Sequence, residues 1–280
     1  MIVSCFTTIP ATVFENAKRL KAILKFGVGV DNIDLAAATR NGVLVINCPD
    51  YCSDTIAEHA IALIFCLAKR IVPIHTAMRE KAWLWPEKDL MTDRSDRQDH
   101  RVDRVRPHRP GHGRQGRRPG NESNCTRSPC TPGSGHGACV EFVSLDTLLK
   151  NADVVSIHCV LTPETKNLIG ARELAMMKKT AYLIDVSRGA IVHEEALLTA
   201  LQKHWVAGAG LDVFAEEPLK LGHPLLGLEN VILTPHLAWY TKEAYAGLQI
   251  ETLDRAREIL AGTIPDNLKN TEVLAKYNVH

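Results

Sequence analysis

The chain has 280 residues, of which 45% are hydrophobic and 5% aromatic, and its 33 basic side chains nearly balance 32 acidic ones, giving a net charge of +1. This composition supports one or two ordinary cores, and no apolar run is long enough to span a membrane. Residues 1–6 lack the basic stretch of a signal peptide, so we expect a soluble, cytoplasmic protein. Eight cysteines without paired C-x-x-C spacing predict reduced thiols and no metal site.

Short apolar runs alternate with helical patterns along the chain. Residues 2–4 and 43–46 are predicted strands, and residues 53–70 carry apolar side chains at helical spacing. Another strand is predicted at residues 153–158, and a short helix begins after Gly170. Such alternation is typical of an α/β fold built on parallel, doubly wound sheets.

Three short strings in the last hundred residues suggest chemistry. They are Val-Ser-Arg-Gly, Leu-Asp-Val-Phe with a Glu-Pro shortly after it, and Thr-Pro-His, and each follows an apolar run. Their functional side chains are Arg188, Glu217 and His236. Because parallel strands end at the same sheet edge, we expect these side chains at the edge where open α/β sheets bind ligands.

The three side chains have complementary chemistry. The guanidinium of Arg188 can hold a carboxylate through two hydrogen bonds, and the imidazole of His236 can carry a proton to or from a carbonyl or hydroxyl oxygen. A carboxylate such as Glu217 beside the imidazole fixes its tautomer and favours its protonated form. Each residue alone is more often structural, but three at successive strand ends favour a catalytic site.

The sequence resembles the D-isomer-specific 2-hydroxyacid dehydrogenases, a family that includes phosphoglycerate, glycerate, hydroxypyruvate/glyoxylate and D-lactate enzymes. The resemblance covers residues 20–82 and resumes from Val140 to the C-terminal region. Its strongest motifs are Lys-Phe-Gly-Val-Gly-Val-Asp-Asn-Ile-Asp at 25–34 and Ala-Glu-His at 57–59.

The resemblance implies two doubly wound domains. A flavodoxin-like substrate domain would comprise residues 1–52 and 241–280, and a Rossmann NAD-binding domain would comprise residues 53–240. Compared with family members the chain begins a few tens of residues late, as if a preceding strand and helix were missing. His59, inside the long helix, is expected to pack between domains rather than bind a ligand.

The resemblance also implies residue roles. Arg188 would bind the substrate carboxylate, Glu217 would orient His236, and His236 would be the acid/base. The remaining roles are substrate binding by backbone groups of Val28 and Gly29, and contact with the nicotinamide end of the cofactor by Cys159, Val186, Ser187 and Asp212. Independently, Gly27 and Gly29 allow a turn whose bare N–H groups approach an anion closely.

The family pattern breaks between Asp93 and Gly137. This stretch has ten arginines and no Leu, Ile, Phe, Trp, Tyr, Ala or Lys, so we expect it to supply neither a central strand nor an apolar helix face. It also lacks the glycine-rich turn that binds a dinucleotide pyrophosphate. The Rossmann domain is therefore predicted to be disrupted at about 93–138.

A shifted reading frame explains this break. Read one base later, the codons for residues 99–110 permit Thr-Ile-Gly-Leu-Ile-Gly-Phe-Gly-Arg-Ile-Gly, an apolar strand entering the G-x-G-x-x-G pattern. The alternative is a natural, disordered, Arg-rich insert, which lacks the aromatic residues of a specific nucleic-acid surface.

The sequence thus predicts an oxidoreductase that transfers hydride between NAD(H) and a small D-2-hydroxy or 2-keto acid, with NADP not excluded. We expect a homodimer with no membrane and no specific nucleic-acid partner. Two alternatives remain open: a non-catalytic, dinucleotide-sensing, corepressor-like protein, and an inactive damaged product. The sequence does not name the acid.

Overall fold

The structure is a computed structural model, and it describes residues 1–86, 91–92, 102–105, 125–127 and 141–277. The chain divides into two compact units, one formed by Met1–Thr55 with Trp239–His280 and the other by Ile56–Ala238.

Strands and helices alternate through most of the described residues. The strands are β1 (Ile2–Ser4), β2 (Ala22–Lys25), β3 (Leu44–Ile46), β4 (Val102–Val105), β5 (Cys125–Arg127), β6 (Glu141–Val143), β7 (Val154–Ile157), β8 (Tyr182–Asp185), β9 (Gly208–Leu211) and β10 (Val231–Leu233). The α-helices are α1 (Ala11–Asn16), α2 (Leu35–Arg40), α3 (Ser53–Ala68), α4 (Ile71–Lys81), α5 (Leu145–Asn151), α6 (Ala171–Met176), α7 (Glu194–Gln202) and α8 (Lys242–Leu260). Short 3₁₀ turns span Gly189–Ile191, Pro224–Gly227 and Thr271–Lys276.

The first unit contains a parallel sheet in the order β1-β2-β3. Every residue of β2 and β3 is buried, which explains why these strands are apolar throughout, except for Lys25 at the end of β2, rather than alternating. Leu248 of α8 packs in one core cluster with Leu24 and Ile46 of this sheet. The C-terminal segment is tied to the sheet because Asn270 accepts a hydrogen bond from the Val45 N–H at 2.9 Å.

The second unit contains a seven-stranded sheet in the order β10-β9-β8-β7-β4-β5-β6. Helices cover both of its faces. Apolar residues of α5, α6 and α7 form one core cluster that includes Leu183 of β8, and apolar residues of α3 form another that includes Ile184. Adjacent residues of one strand therefore point into cores on opposite faces, which is the layering of a doubly wound α/β fold.

The α/β architecture predicted from the alternation is confirmed, but one expectation for the segment 93–138 is wrong. The structure places β4 between β7 and β5, parallel to β7, although the composition argument denied this stretch a central strand. Ladder hydrogen bonds come from the backbone, and Val-Asp-Arg-Val still places a β-branched residue at each end of β4.

The edge of this sheet also departs from a wholly parallel arrangement. β5 pairs antiparallel with both β4 and β6. Apart from β4 and β5, the segment 93–138 lies outside the described residues, and so does the shifted-frame explanation for it.

Helices α3 and α4 bend by 57° at their junction. As a pair they reach the length and apolar composition of a membrane span, whereas no single helix in the described part of the chain does so.

Candidate active site

The predicted catalytic side chains lie beyond three adjacent parallel strands. β8, β9 and β10 are neighbours in the sheet, and Arg188, Glu217 and His236 follow their respective carboxyl ends. This strand order puts the three residues at one edge of the sheet, as expected. Glu217 and His236 are in direct contact there.

His236 and Glu217 form a hydrogen-bonded pair. The Nδ1 atom of His236 lies 2.7 Å from Oε2 of Glu217, and the second oxygen of Glu217 accepts the Phe214 N–H at 3.0 Å. Burial raises the pKa of the Glu217 carboxyl, but the hydrogen bonds from His236 and Phe214, with the nearby charges of His236 and Arg188, outweigh burial and lower the pKa below its ordinary value. The ionised carboxylate therefore accepts the Nδ1 proton, and Nε2 is the nitrogen able to exchange a proton with a ligand.

The backbone of His236 is held in an uncommon conformation. Its φ of 54° lies in the left-handed region, which costs a non-glycine residue about 1–3 kcal/mol. Hydrogen bonds to the buried residue Asp212 stabilise this conformation. The Asp212 carbonyl accepts the His236 N–H at 2.7 Å, and the Asp212 carboxylate accepts the N–H groups of Leu237 at 2.9 Å and Ala238 at 2.8 Å. We call this set of hydrogen bonds to residues 236–238 the Asp212 clamp.

Two further side chains complete the network around Asp212. Thr234 donates its hydroxyl proton to Asp212 Oδ1 at 2.5 Å, and Nε2 of His59 lies 3.0 Å from the same hydroxyl. Because the hydroxyl proton is used toward Asp212, the hydroxyl accepts the His59 Nε2–H. Sequence reasoning gave neither Thr234 nor His59 a place in the site, although the Ala-Glu-His motif in α3 was the available signal.

Arg188 lies in a turn that packs against the Glu217 loop. A Cβ atom added at Gly189 would lie 2.0 Å from the Phe214 carbonyl carbon, so only glycine permits this approach. The Arg188 guanidinium donates to the Ser187 carbonyl at 2.7 Å, and its charge is close enough to help lower the Glu217 pKa. The site therefore combines a cation, a carboxylate and an imidazole.

The residues predicted to contact the nicotinamide end lie beyond the same strands. Cys159 and Val186 are buried past β7 and β8, Ser187 is half-buried, and Asp212 follows β9. Cys159 and Val186 fit the apolar wall of such a site. A carboxylate has about four acceptor positions, so Asp212 retains capacity for an amide N–H beyond its three described donors. The residues that follow β4, where the glycine-rich pyrophosphate turn is predicted to be missing, lie outside the described residues.

The predicted substrate-binding residues Val28 and Gly29 belong to the first unit, immediately after β2. Gly27 before them has a φ of 137°, a conformation that favours glycine, and the side-chain amide of Asn47 donates to the Val28 carbonyl at 2.5 Å. The turn is therefore formed as the glycines suggest. Its role in substrate binding stays a prediction. Within the described ranges, no cluster of three or more His, Cys, Asp or Glu side chains has metal-binding geometry.

Comparisons with known proteins identify the family. The family model for "D-isomer specific 2-hydroxyacid dehydrogenase, NAD binding domain" matches residues 128–238. A glyoxylate reductase from Korarchaeum cryptofilum is 37% identical over 95% of this chain and 81% of its own length. The chain belongs to the D-isomer-specific 2-hydroxyacid dehydrogenase family. A D-3-phosphoglycerate dehydrogenase from Synechocystis is 34% identical over 91% of this chain and 46% of its own, longer sequence.

A solved structure agrees with this assignment. D-lactate dehydrogenase from Aquifex aeolicus, complexed with NAD and lactic acid, superposes with a TM-score of 0.77 at 25% identity, covering 96% of this chain and 86% of that one. The predicted family, the Rossmann-type α/β fold and the class of NAD-dependent oxidoreductases are thereby confirmed. Relatives that are reductases and dehydrogenases favour an enzyme over the corepressor-like alternative.

The Thr234→Val substitution tests the network around Asp212. Valine keeps the branched shape but removes the hydroxyl that joins His59 to Asp212, so we expect a loss of stability of about 1–2 kcal/mol and a fall in turnover of about tenfold. Chemical denaturation and steady-state kinetics measure the two effects. The matched control is Thr199→Val on α7, where the lost hydroxyl bonds only the exposed Glu195 carbonyl at 3.0 Å. Equal behaviour of the two variants would show that the network does not support the site.

Proposed function

We propose that this chain reduces a small 2-keto acid to the corresponding D-2-hydroxy acid and catalyses the reverse oxidation. The observation that carries the proposal is the 2.7 Å contact between His236 Nδ1 and Glu217, placed beside Arg188 at the ends of adjacent strands. A glyoxylate reductase among the relatives makes glyoxylate the first substrate to test. We assign substrate binding to residues 1–52 with 241–280 and cofactor binding to residues 53–240.

Each side chain has one task in the proposed reaction. Arg188 pairs with the carboxylate of the keto acid and orients its C2 carbonyl. When bound, nicotinamide supplies the hydride for reduction. His236 donates the Nε2 proton to the C2 oxygen, so the carbonyl becomes a hydroxyl, and it takes that proton back in the oxidation. Glu217 holds the imidazole through Nδ1 and stabilises the imidazolium before the proton leaves.

Cofactor contacts are proposed for the residues that follow β7, β8 and β9. Cys159 and Val186 would pack against the nicotinamide ring, and Ser187 and Asp212 would offer polar partners to its amide. Val28 and Gly29 remain the predicted backbone contacts of the substrate. NAD is the proposed cofactor.

Substitution of His236 tests the acid/base assignment. His236→Gln keeps a polar side chain but cannot transfer a proton, so we expect turnover with glyoxylate, hydroxypyruvate and pyruvate to fall by at least about a hundredfold. Arg188→Lys is the matched variant for binding: it keeps the charge but loses the two-pronged geometry, so the KM for the keto acid should rise by about tenfold or more with a smaller change in kcat. Near-normal turnover of His236→Gln would contradict the assignment.

We also infer that residues 93–138 weaken cofactor binding. Val-Arg-Pro-His-Arg-Pro stands at 105–110, where the shifted frame permits a glycine turn, and proline removes N–H donors that a pyrophosphate needs. A frame-restored variant should bind NADH at least about tenfold more tightly than this chain in calorimetric titration. Equal affinities would show that the segment is a natural variant, and sequencing of the encoding DNA across it checks the frame directly.

We infer a cytoplasmic homodimer as the working form. Five described cysteines carry free thiols, which suits a reducing compartment. Apolar side chains are exposed on α3 and α4, namely Ile61, Phe65, Ile71 and Val72. In a symmetric homodimer, the same side chains of the second copy would cover these four side chains and remove them from water.

Light scattering tests the dimer. The chain should have twice its 30.9 kDa mass, and Phe65→Glu should be monomeric because it places a charge in the apolar face. Leu221→Glu is the control, since Leu221 is fully exposed and lies outside α3 and α4, and it should leave the mass unchanged. A monomeric parent chain would overturn the inference.

A further inference from the structure

Asp185, the last residue of β8, is a buried acid that the proposed mechanism does not use. It is 1% exposed, and its Oδ1 atom accepts both the N–H and the hydroxyl of Ser187 at 2.9 Å. Its Oδ2 atom is buried and has no hydrogen-bond partner among the described residues. An ionised carboxylate with one bare buried oxygen is costly, whereas a protonated carboxyl carries no such charge.

The turn that Asp185 supports is the turn that carries Arg188. Ser187 and Arg188 follow Asp185 directly, and the backbone N–H of Arg188 also interacts with the carboxyl. Burial raises the pKa of Asp185 to about 7, and the hydrogen bonds from Ser187 and Arg188, with the charge of Arg188, only partly oppose that rise. The group therefore changes charge within the neutral range, near enough to Arg188 for the two charges to interact.

Among the residues that the structure describes, few other ionisable groups face Asp185. Glu194, the first residue of α7, lines the same small cavity but is hydrogen-bonded to His223 at 3.1 Å. On the neighbouring strands, Ile157 and Leu211 lie opposite Asp185 in register. The ionisable side chains that follow these two residues have other partners. His158 Nε2 lies 2.7 Å from the Ser156 hydroxyl, and the Asp212 carboxylate accepts the Leu237 N–H.

We propose that Asp185 is a positioning residue whose protonation sets how strongly Arg188 attracts a carboxylate-bearing substrate. Neutral Asp185 does not offset the positive charge of Arg188. Ionised Asp185 adds a buried negative charge near Arg188 and weakens the attraction between Arg188 and the ligand. The inference rests on the proposed role of Arg188.

The Asp185→Asn variant separates this role from a purely structural one. Asparagine keeps the Oδ1 acceptor for Ser187 but cannot ionise, so it mimics the protonated acid. In the parent chain we expect the KM for glyoxylate to rise on the order of fivefold from pH 6 to pH 8.5, as Asp185 ionises. The KM of Asp185→Asn should stay low across this range, while kcat should follow the same pH profile in both proteins.

A matched control removes a negative charge elsewhere in the same unit. Asp146→Asn loses an exposed carboxylate that pairs with Arg172 at 2.7 Å, and it should retain the parent's pH dependence of KM. Parallel KM profiles for Asp185→Asn and the parent chain would overturn the inference.

A second measurement needs neither activity nor a folded variant. In the parent chain labelled with ¹³C-aspartate, the Asp185 carboxyl signal should titrate with a midpoint near 7. A midpoint near the ordinary value of about 4 would overturn the inference. Loss of keto-acid reduction in the parent chain together with a midpoint near 7 would instead contradict the proposed function and retain Asp185 as a neutral-range acid beside Arg188.

Discussion

The buried carboxylate of Asp212 is the interaction on which the site depends. It joins the end of β9 to the turn beyond β10 by accepting the N–H groups of Leu237 and Ala238 and the hydroxyl of Thr234. Each hydrogen bond to a charged group contributes about 1.5–3 kcal/mol, so together they exceed the cost of about 1–3 kcal/mol for the left-handed His236. The same donors compensate for burying the charge of Asp212. Without this clamp, the turn would relax and His236 would leave Glu217.

The order of the strands in the sheet brings the three functional side chains to one edge. Arg188, Glu217 and His236 are far apart in the sequence, and they approach one another because β8, β9 and β10 are adjacent and parallel. Gly189 then allows the Arg188 turn to touch the backbone of the Glu217 loop, where any side chain would clash. Topology sets the approximate positions, and these short-range contacts set the distances that proton transfer needs.

Sequence patterns predicted the parts of this arrangement that follow from periodicity and residue chemistry. Apolar runs gave the strands, and an arginine, a glutamate and a histidine just beyond three of them indicated the site. Thr234, His59 and the buried Asp185 were not predicted as parts of it, because a hydroxyl, a helical histidine and a strand-end acid acquire a role only from neighbours distant in sequence. The composition of residues 93–138 wrongly predicted that the segment supplies no central strand, since the backbone pairing of β4 needs few apolar side chains.

The tautomer of His236 tests most directly whether Asp212 and Glu217 hold this side chain in place. In protein labelled with ¹⁵N-histidine, the His236 ring nitrogens are assigned by comparison with His236→Gln and their chemical shifts are measured at alkaline pH. We expect a single neutral form with the proton on Nδ1, held by the ionised Glu217, and a mixture of tautomers in Asp212→Asn, where the clamp is weakened. A neutral His236 with its proton on Nε2 in the parent chain would contradict the proposed roles of Glu217 and Asp212.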